Sequence, residues 1–392
     1  MARINPEIET FAKIKVVGVG GAGGNALKRM IDSNIKGVEF VAVNTDAQDL
    51  HHSKAEHKVH LGKNLTRGLG AGMNPEVGRK SAEESKEEVY QAVNGSHMIF
   101  ITAGMGGGTG SGASPVIAQA AKESGALTVA VVTKPFMFEG IQRKRIAEAA
   151  FEELKKNVDT IITIPNDKIL NIIDRNTPVL DAFSMIDDVL RQGVQGISDL
   201  ITTPGLVNVD FADVSAIMKN AGSALMGIGS AAGENRAVTA AKIAINSPLL
   251  DISIKGAKGV LFNVTGGKDL SMAEINDAAN VIIESIDPDA QVIFGAVIND
   301  KMTEGEVQVT VIATGFEPKP PITALEVDKI QKEPSIKELQ KRVDEEKSKR
   351  QAEEERLQEV ESKKDEFIRN VESDLEDAFE LPAFIRNKLN KK

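Results

Sequence analysis

The sequence predicts an α/β protein. A parallel sheet covered by helices on both faces comes first, then a long helix, then a second α/β domain with a mixed sheet. Three observations predict it. Strand-like apolar runs alternate with helix-forming stretches from residue 13 to residue 134. Glycine clusters follow two of those runs. Apolar residues then recur at helical spacing from Pro178 to Ile201, where Thr203-Pro204-Gly205 supplies a stop.

Taken in order, Lys13–Val19 is a short apolar run that ends in glycines, Ala26–Asn34 is helical, and Glu39–Val43 is apolar and β-branched. Pro75–Asn94 is rich in Glu, Lys and Ala and predicts one helix. Met98–Thr102 and Leu127–Thr133 are strands of the buried type, with the helix Ala113–Ser124 between them. Asp159–Ile164 adds a strand. The long helix presents Val179, Ala182, Met185, Ile186, Val189 and Val194 as its apolar positions. Beyond it, helices are predicted near Ala237–Ile245 and Met272–Ile286, and strands near Gly259–Val264, Ala290–Val297 and Glu306–Ala313. Pro318, Pro320 and Pro321 open a linker. More than half of the residues from Lys337 to Glu380 are charged, too many for a core.

Composition excludes several classes of function. There is no cysteine among the 392 residues, so disulfides and thiolate metal sites are ruled out and a reducing compartment fits. The net charge of −10, the absence of Trp and the single Tyr argue against a nucleic-acid surface. The N-terminus carries no signal-peptide core, and no apolar run reaches the ~18 residues of a membrane span, so membrane contact is expected to be indirect. His51, His52, His57 and His60 lack metal-ligand spacing and read as a surface loop.

The chemistry is concentrated in two glycine-rich segments. Gly18-Val-Gly20-Gly21-Ala22-Gly23-Gly24-Asn25 lies between a strand and a helix. Glycines let backbone amides approach phosphate oxygens, and a helix N-terminus adds partial positive charge. Alone, this segment fits a polyphosphate, an NAD fingerprint with Asp46 downstream, or a tight turn. Gly104-Met-Gly106-Gly107-Gly108-Thr109-Gly110-Ser-Gly112 repeats the arrangement, which an NAD domain has no reason to do. Two such segments on neighbouring strands can grip one polyphosphate. No Gly-x4-Gly-Lys-Ser/Thr P-loop is present.

Gly104–Gly112 matches the tubulin signature. Asn44-Thr-Asp46, Thr133-Lys-Pro-Phe136 with Glu139-Gly140, Ile164-Pro-Asn166-Asp167, Leu180-Asp-Ala-Phe183 and Asn208-Val-Asp210-Phe-Ala-Asp213 accompany it. From about Phe11 to Phe316 the chain resembles the tubulin/FtsZ family of GTPases, and the likeness returns at the C-terminus. The resemblance implies a Rossmann-like GTP-binding domain over 12–177 after an N-terminal extension (1–11), a central helix (178–203), a C-terminal α/β domain (204–316), a charged linker (317–378) and a partner-docking peptide (379–392).

It further implies roles for single residues. Gly21, Gly24 and Asn25 would line the α- and β-phosphates, with Gly20, Ala22 and Gly23 in the same GTP site. Gly108, Thr109 and Gly110 would close over the β- and γ-phosphates, with Gly104, Gly106 and Gly107 in the same GTP site. Asn44, Asp46, Ala71, Gly72, Thr133 and Asn166 belong to the same GTP site, the Gly68–Gly72 loop acting as γ-phosphate sensor. Glu139 and Arg143 are expected at the ribose, on one helix face. Phe183 would stack on the base, and Asp187 would accept from guanine. Ala22 departs from the glycine that many relatives carry, and a negative φ there would accommodate its methyl. Asp210 and Asp213, with Asn208, would act on a neighbouring subunit's GTP, Asp213 capping locally while Asp210 reaches outward. Mg²⁺ would ride mainly on phosphates and water, with no direct protein ligand. Without the resemblance, Glu139 and Arg143 read as a surface salt bridge, Phe183 as core, Asp187 as a solvated carboxylate, and Asp-Phe-Ala-Asp as a helix cap.

At the C-terminus, Leu381, Pro382, Phe384 and Arg386 resemble the family's docking peptide for membrane-tethering and regulatory proteins. In the linker, Ile336, Leu339, Val343, Leu357, Val360, Phe367, Val371 and Ala378 share one heptad register. A helical spacer, a charged single helix and disorder all remain open there. The function implied is a GTPase that polymerises head to tail into cytoplasmic filaments at the division ring. The competing readings are an NAD oxidoreductase and a GTP-binding scaffold without turnover. The second glycine segment argues against the former, and the intact Asp210 and Asp213 argue against the latter.

Overall fold

The computed structural model describes residues 12–170, 176–202, 209–247, 254, 256–299, 302–303 and 305–316. Asn208, the Thr203–Gly205 stop, the heptad linker and the Leu381–Arg386 peptide lie outside the described residues.

Strand β1 (Ile14–Val19) alternates its side chains between two cores. Ile14 and Val16 pack with Leu27 and Met30, whereas Val17 and Val19 join a second core with Ile117 and Leu154. Burial on both faces is what a central parallel strand requires. Each fully buried Leu or Met contributes about 1.5–3 kcal/mol. Helix α1 (Gly20–Asp32) leads to β2 (Val38–Asn44), α2 (Ala47–His52), β3 (His57–His60) and the short α3 (Lys63–Thr66). The four histidines thus sit in a helix and a strand, not in a surface loop, because β3 pairs with β2 through Val41↔His57 and Asn44↔His60.

Next come α4 (Pro75–Glu84) and α5 (Lys86–Val93) where one helix is predicted. They break at Ser85, whose hydroxyl oxygen accepts from the Gly62 amide, and the Glu83, Glu84, Glu87 and Glu88 run disfavours continuity. Strand β4 (Met98–Gly104), helix α6 (Gly108–Glu123), strand β5 (Leu127–Lys134), the 3₁₀ turn Met137–Glu139, helix α7 (Ile141–Asn157), strand β6 (Thr160–Pro165) and helix α8 (Asn166–Ile169) complete the parallel half.

The central helix α9 (Val179–Thr202) buries Ala182, Ile186, Leu190, Val194 and Ile197, a stripe at helical spacing. Val179 and Met185, predicted on that stripe, are exposed. After it come α10 (Phe211–Met218), β7 (Gly222–Ala232), α11 (Arg236–Ile245), β8 (Gly259–Gly266), α12 (Met272–Ile283), β9 (Gln291–Ile298) and β10 (Glu306–Thr314). Strand β7 was not predicted. Its run of small residues carries little β propensity, and it is a strand because α11 lies directly on it. A side chain at Gly229 would come within 2.1 Å of the Ala240 carbonyl oxygen.

The strands form one sheet in the order β3-β2-β1-β4-β5-β6-β7-β10-β8-β9. The first six are parallel. β7 is parallel to β6 and antiparallel to β10, β10 is antiparallel to β8, and β8 is parallel to β9. The second half is therefore mixed, and both halves share a sheet through β7. The order 3-2-1-4-5-6 reverses between β1 and β4, and a ligand crevice is expected at the C-terminal ends of those strands.

Candidate functional site: a cleft at the switch point

A cleft of about 360 Å³ lies there, with Val19 at the end of β1, Gly104 at the end of β4 and Thr133 near the end of β5 among its lining residues. Two long helices begin at this cleft, and neither has a side-chain cap or an acidic residue in its first turn. Elsewhere Asp46, Asn74, Asp210 and Ser271 cap α2, α4, α10 and α12. Apart from the Gly108 amide, which is taken by the Gly72 carbonyl, the first-turn amides of α1 and α6 are thus left to the cleft, and both helix dipoles direct positive potential into it. This donor set suits a polyphosphate.

The structure gathers Gly20, Gly21, Ala22, Asn25, Gly72, Gly104, Gly107, Gly108, Thr109, Gly110, Thr133, Glu139, Arg143, Asn166, Phe183 and Asp187 around this one cleft. The first segment is less a loop than a strand end and two helical turns, since α1 starts at Gly20. Ala22 is not among the residues of positive φ, so its methyl is accommodated. Thr109, at the second position of α6, has its hydroxyl 2.7 Å from that of Thr45. The loop before α4 closes on α6 through a 2.7 Å bond from the Gly108 amide to the Gly72 carbonyl.

Glu139 and Arg143 form a 2.7 Å ion pair at the cleft. They do not share a helix face. Glu139 ends the 3₁₀ turn and also accepts from the Phe136 amide, while Arg143 belongs to α7. Phe183 and Asp187 do share a face of α9. Phe183 is 43% exposed and meets the buried Phe136 edge-on at 5.7 Å, so a flat group can lie against it. Burial pushes the Asp187 carboxyl up to about 6, against the opposing pull of the Arg29 guanidinium. Asn166 is buried, and its Oδ1 has no hydrogen-bond partner among the described residues.

Gly23, Gly24, Asn44, Asp46, Ala71 and Gly106 are not among the lining residues. Gly24 and Asn44 line a smaller cavity beyond α1. The Asn44 amide donates to Asp49 at 2.6 Å, and Asp46 accepts from the Gln48 and Asp49 amides as the cap of α2. The Gly106 amide donates to the Ser111 hydroxyl, which shapes the loop. Sequence reasoning missed the apolar wall of Val19, Met105, Pro135, Ile186 and Leu190. The helical period of α9 could have found the last two.

Asp210 and Asp213 lie elsewhere, both exposed. Asp210 is the N-cap of α10: its Oδ1 accepts from the Asp213 amide at 2.8 Å, and Asp213 accepts in return from the Asp210 amide at 3.4 Å. The sequence placed the local cap on Asp213; the N-cap is Asp210, with Asp213 answering it in a capping box. Phe211 packs 6.1 Å from the ring of His97, the residue just before β4, and shares a groove with Leu127 and Asp159 at the starts of β5 and β6. The pair therefore sits at the N-terminal edge of the sheet and the cleft at its C-terminal edge. The seven residues of β4 separate them by roughly 20 Å.

The GTPase domain of the Tubulin/FtsZ family matches residues 13–174, and the C-terminal domain of the FtsZ family matches residues 222–317. A switch-point cleft with two uncapped helix N-termini is thus the site of a tubulin-like GTPase, whose family binds GTP and GDP. An empty FtsZ dimer of M. jannaschii is 48% identical, superposes with a TM-score of 0.75, and is matched over 78% of this chain and 88% of that one. A single-site mutant of the same FtsZ gives 48%, 0.76, 78% and 92%. CetZ2 of Haloferax volcanii, a GTPγS-bound protofilament, shares the fold at 22% identity, with a TM-score of 0.66 over 81% of this chain and 99% of that one. The chain belongs to the FtsZ family and is a GTP hydrolase.

Proposed function

We propose that copies of this chain join head to tail into filaments and that GTP is hydrolysed at each joint. The observation that carries the reading is the separation of the two halves of the site to opposite ends of one sheet. Over roughly 20 Å, Asp210 and Asp213 cannot serve the cleft of their own subunit. A second copy, stacked with its N-terminal edge on the first copy's cleft, would bring them to the terminal phosphate. There they would orient the attacking water and take its proton. Such a contact joins unlike surfaces and propagates into an open filament. The dimer and protofilament among the similar structures support this arrangement.

In the cleft, the amides of α1 and α6 would hold the phosphates, Glu139 and Arg143 would border the ribose, and Phe183 would lie against the base. Asp187 and the unpartnered Asn166 Oδ1 are acceptors suited to guanine N–H groups, for which adenine offers no matching donor pair. At the phosphate end the lining residues are glycines, Ala22, Asn25 and hydroxyls rather than carboxylates, which fits a Mg²⁺ carried by phosphate and water. Mg²⁺ would neutralise charge on the phosphates. By the same reading the filaments form the division ring at mid-cell in the cytoplasm, and the Leu381–Arg386 peptide recruits membrane-tethering and regulatory proteins.

Turnover per subunit should rise with protein concentration from near zero, together with GTP-dependent, ATP-independent pelleting. Constant activity per subunit down to nanomolar protein would overturn the shared site. The pH dependence tests the base contact. Guanine donors need the Asp187 carboxylate, so affinity is full above the free-state value of about 6 and falls as pH drops through it. Isothermal titration from about pH 8 to about pH 5 should show this fall, and Asp187→Asn should abolish it while weakening binding by about tenfold or more. An unchanged affinity at about pH 5 would remove Asp187 from the base site.

A further inference from the structure

Thr45 is fully buried and is not among the residues lining the cleft, yet it touches both elements that meet at the terminal-phosphate end. Its carbonyl oxygen accepts from the Gly70 amide and from the Thr66 hydroxyl, each at 3.2 Å, which ties it to the loop before α4. Its hydroxyl is 2.7 Å from the hydroxyl of Thr109, in the first turn of α6. Thr109 lines the cleft, and the Gly72 carbonyl holds the residue beside it.

The direction of that hydroxyl pair decides what Thr109 can do. Two facing hydroxyls share one proton, so one donates and the other accepts. Among the described residues the Thr45 hydroxyl has no other hydrogen-bond partner. A buried hydroxyl that donates to nothing is unfavourable, so Thr45 gains by donating to Thr109. The Thr109 proton is then released toward the cleft, where an anionic oxygen accepts it. Hydrogen bonds in such a chain strengthen one another. The geometry assigns Thr45 as a positioning residue: it orients the Thr109 hydroxyl as a donor to the terminal phosphate of a nucleoside triphosphate. This rests on the reading that the first turn of α6 faces that phosphate.

The test compares affinities of the full chain for GMPPNP and GDP, at protein concentrations below assembly. Thr45→Val exchanges the hydroxyl for a methyl of similar size. It should lower the GMPPNP affinity by about tenfold while leaving GDP affinity within about threefold. Thr45→Ser should restore the wild-type ratio. In a Thr109→Val background, Thr45→Val should change the ratio no further, because Thr45 acts through that hydroxyl. If Thr45→Val fails to fold, Thr109→Val alone decides, since it must produce the same selective loss. An unchanged ratio, or an equal fall for both nucleotides, overturns the assignment. A wild-type chain that bound neither nucleotide would instead overturn the reading of the cleft, and the assignment with it.

Discussion

Asp213→Ala is expected to bind GTP with wild-type affinity and to hydrolyse it at least about a hundredfold more slowly, the loss that follows removal of a general base. Its own cleft is untouched, because the carboxylate lies at the other end of the sheet. The substitution also removes half of the capping box of α10, and the two effects can be ranked. A lost cap costs typically about 1 kcal/mol, whereas a hundredfold loss of rate corresponds to about 2.7 kcal/mol. Asp213→Asn keeps an acceptor for the Asp210 amide, so it should restore helix stability without restoring turnover. In mixtures, each defective subunit should silence its neighbour's nucleotide rather than its own. Phosphate release measured against the mutant fraction at fixed total protein should therefore fall while GTP occupancy stays constant. A mutant that keeps more than about a tenth of wild-type turnover would remove Asp213 from the chemistry.

Gly108→Ala should weaken nucleotide binding by roughly ten- to a hundredfold. The new Cβ would stand 2.7 Å from the Gly72 carbonyl oxygen, 2.8 Å from that of Ala71 and 2.9 Å from that of Asn74. All three are backbone atoms and cannot swing aside, so α6 and the loop before α4 must separate. Overpacking of this kind costs about 1–3 kcal/mol, and here the displacement falls on the helix N-terminus that lines the cleft. Gly107→Ala is the control, since its Cβ would meet nothing of the protein within 4 Å. Its thermal midpoint should match the wild type, while that of Gly108→Ala should drop. Equal midpoints and equal affinities for the two variants would mean that the loop contact does not shape the cleft.

How much of this is legible in sequence depends on how local each feature is. The parallel half was readable because β1, β4 and β5 are continuous apolar runs, the mark of strands buried on both faces. Phe183 and Asp187 were placed at the site by the family resemblance, and their i, i+4 spacing on a long helix fits it; the spacing alone left them a core aromatic and a solvated carboxylate. Strand β7 was not readable, since its glycines and alanines serve the close approach of α11, a contact made across the chain. The break at Ser85 depends on a bond to Gly62, and the Glu139–Arg143 geometry depends on a helix boundary at Gly140. The Thr45–Thr109 pair joins residues 64 positions apart, and no spacing rule announces it. Asn44 and Asp46 show the converse. Their motif was plain, but in the structure their side chains go to Asp49 and to the cap of α2.

The proposed division of the site between the two edges of the sheet also fixes a count. In a row of n subunits joined as proposed, only n − 1 clefts are completed by a neighbour. A dimer then works at half the per-subunit rate of a long filament, and the shortfall at any length measures how many ends there are. The terminal subunit with the open cleft would keep a triphosphate that nothing hydrolyses, so one end of every such filament would differ chemically from its body. Such a polymer would carry a record of its own length and direction, written by the geometry of a single subunit.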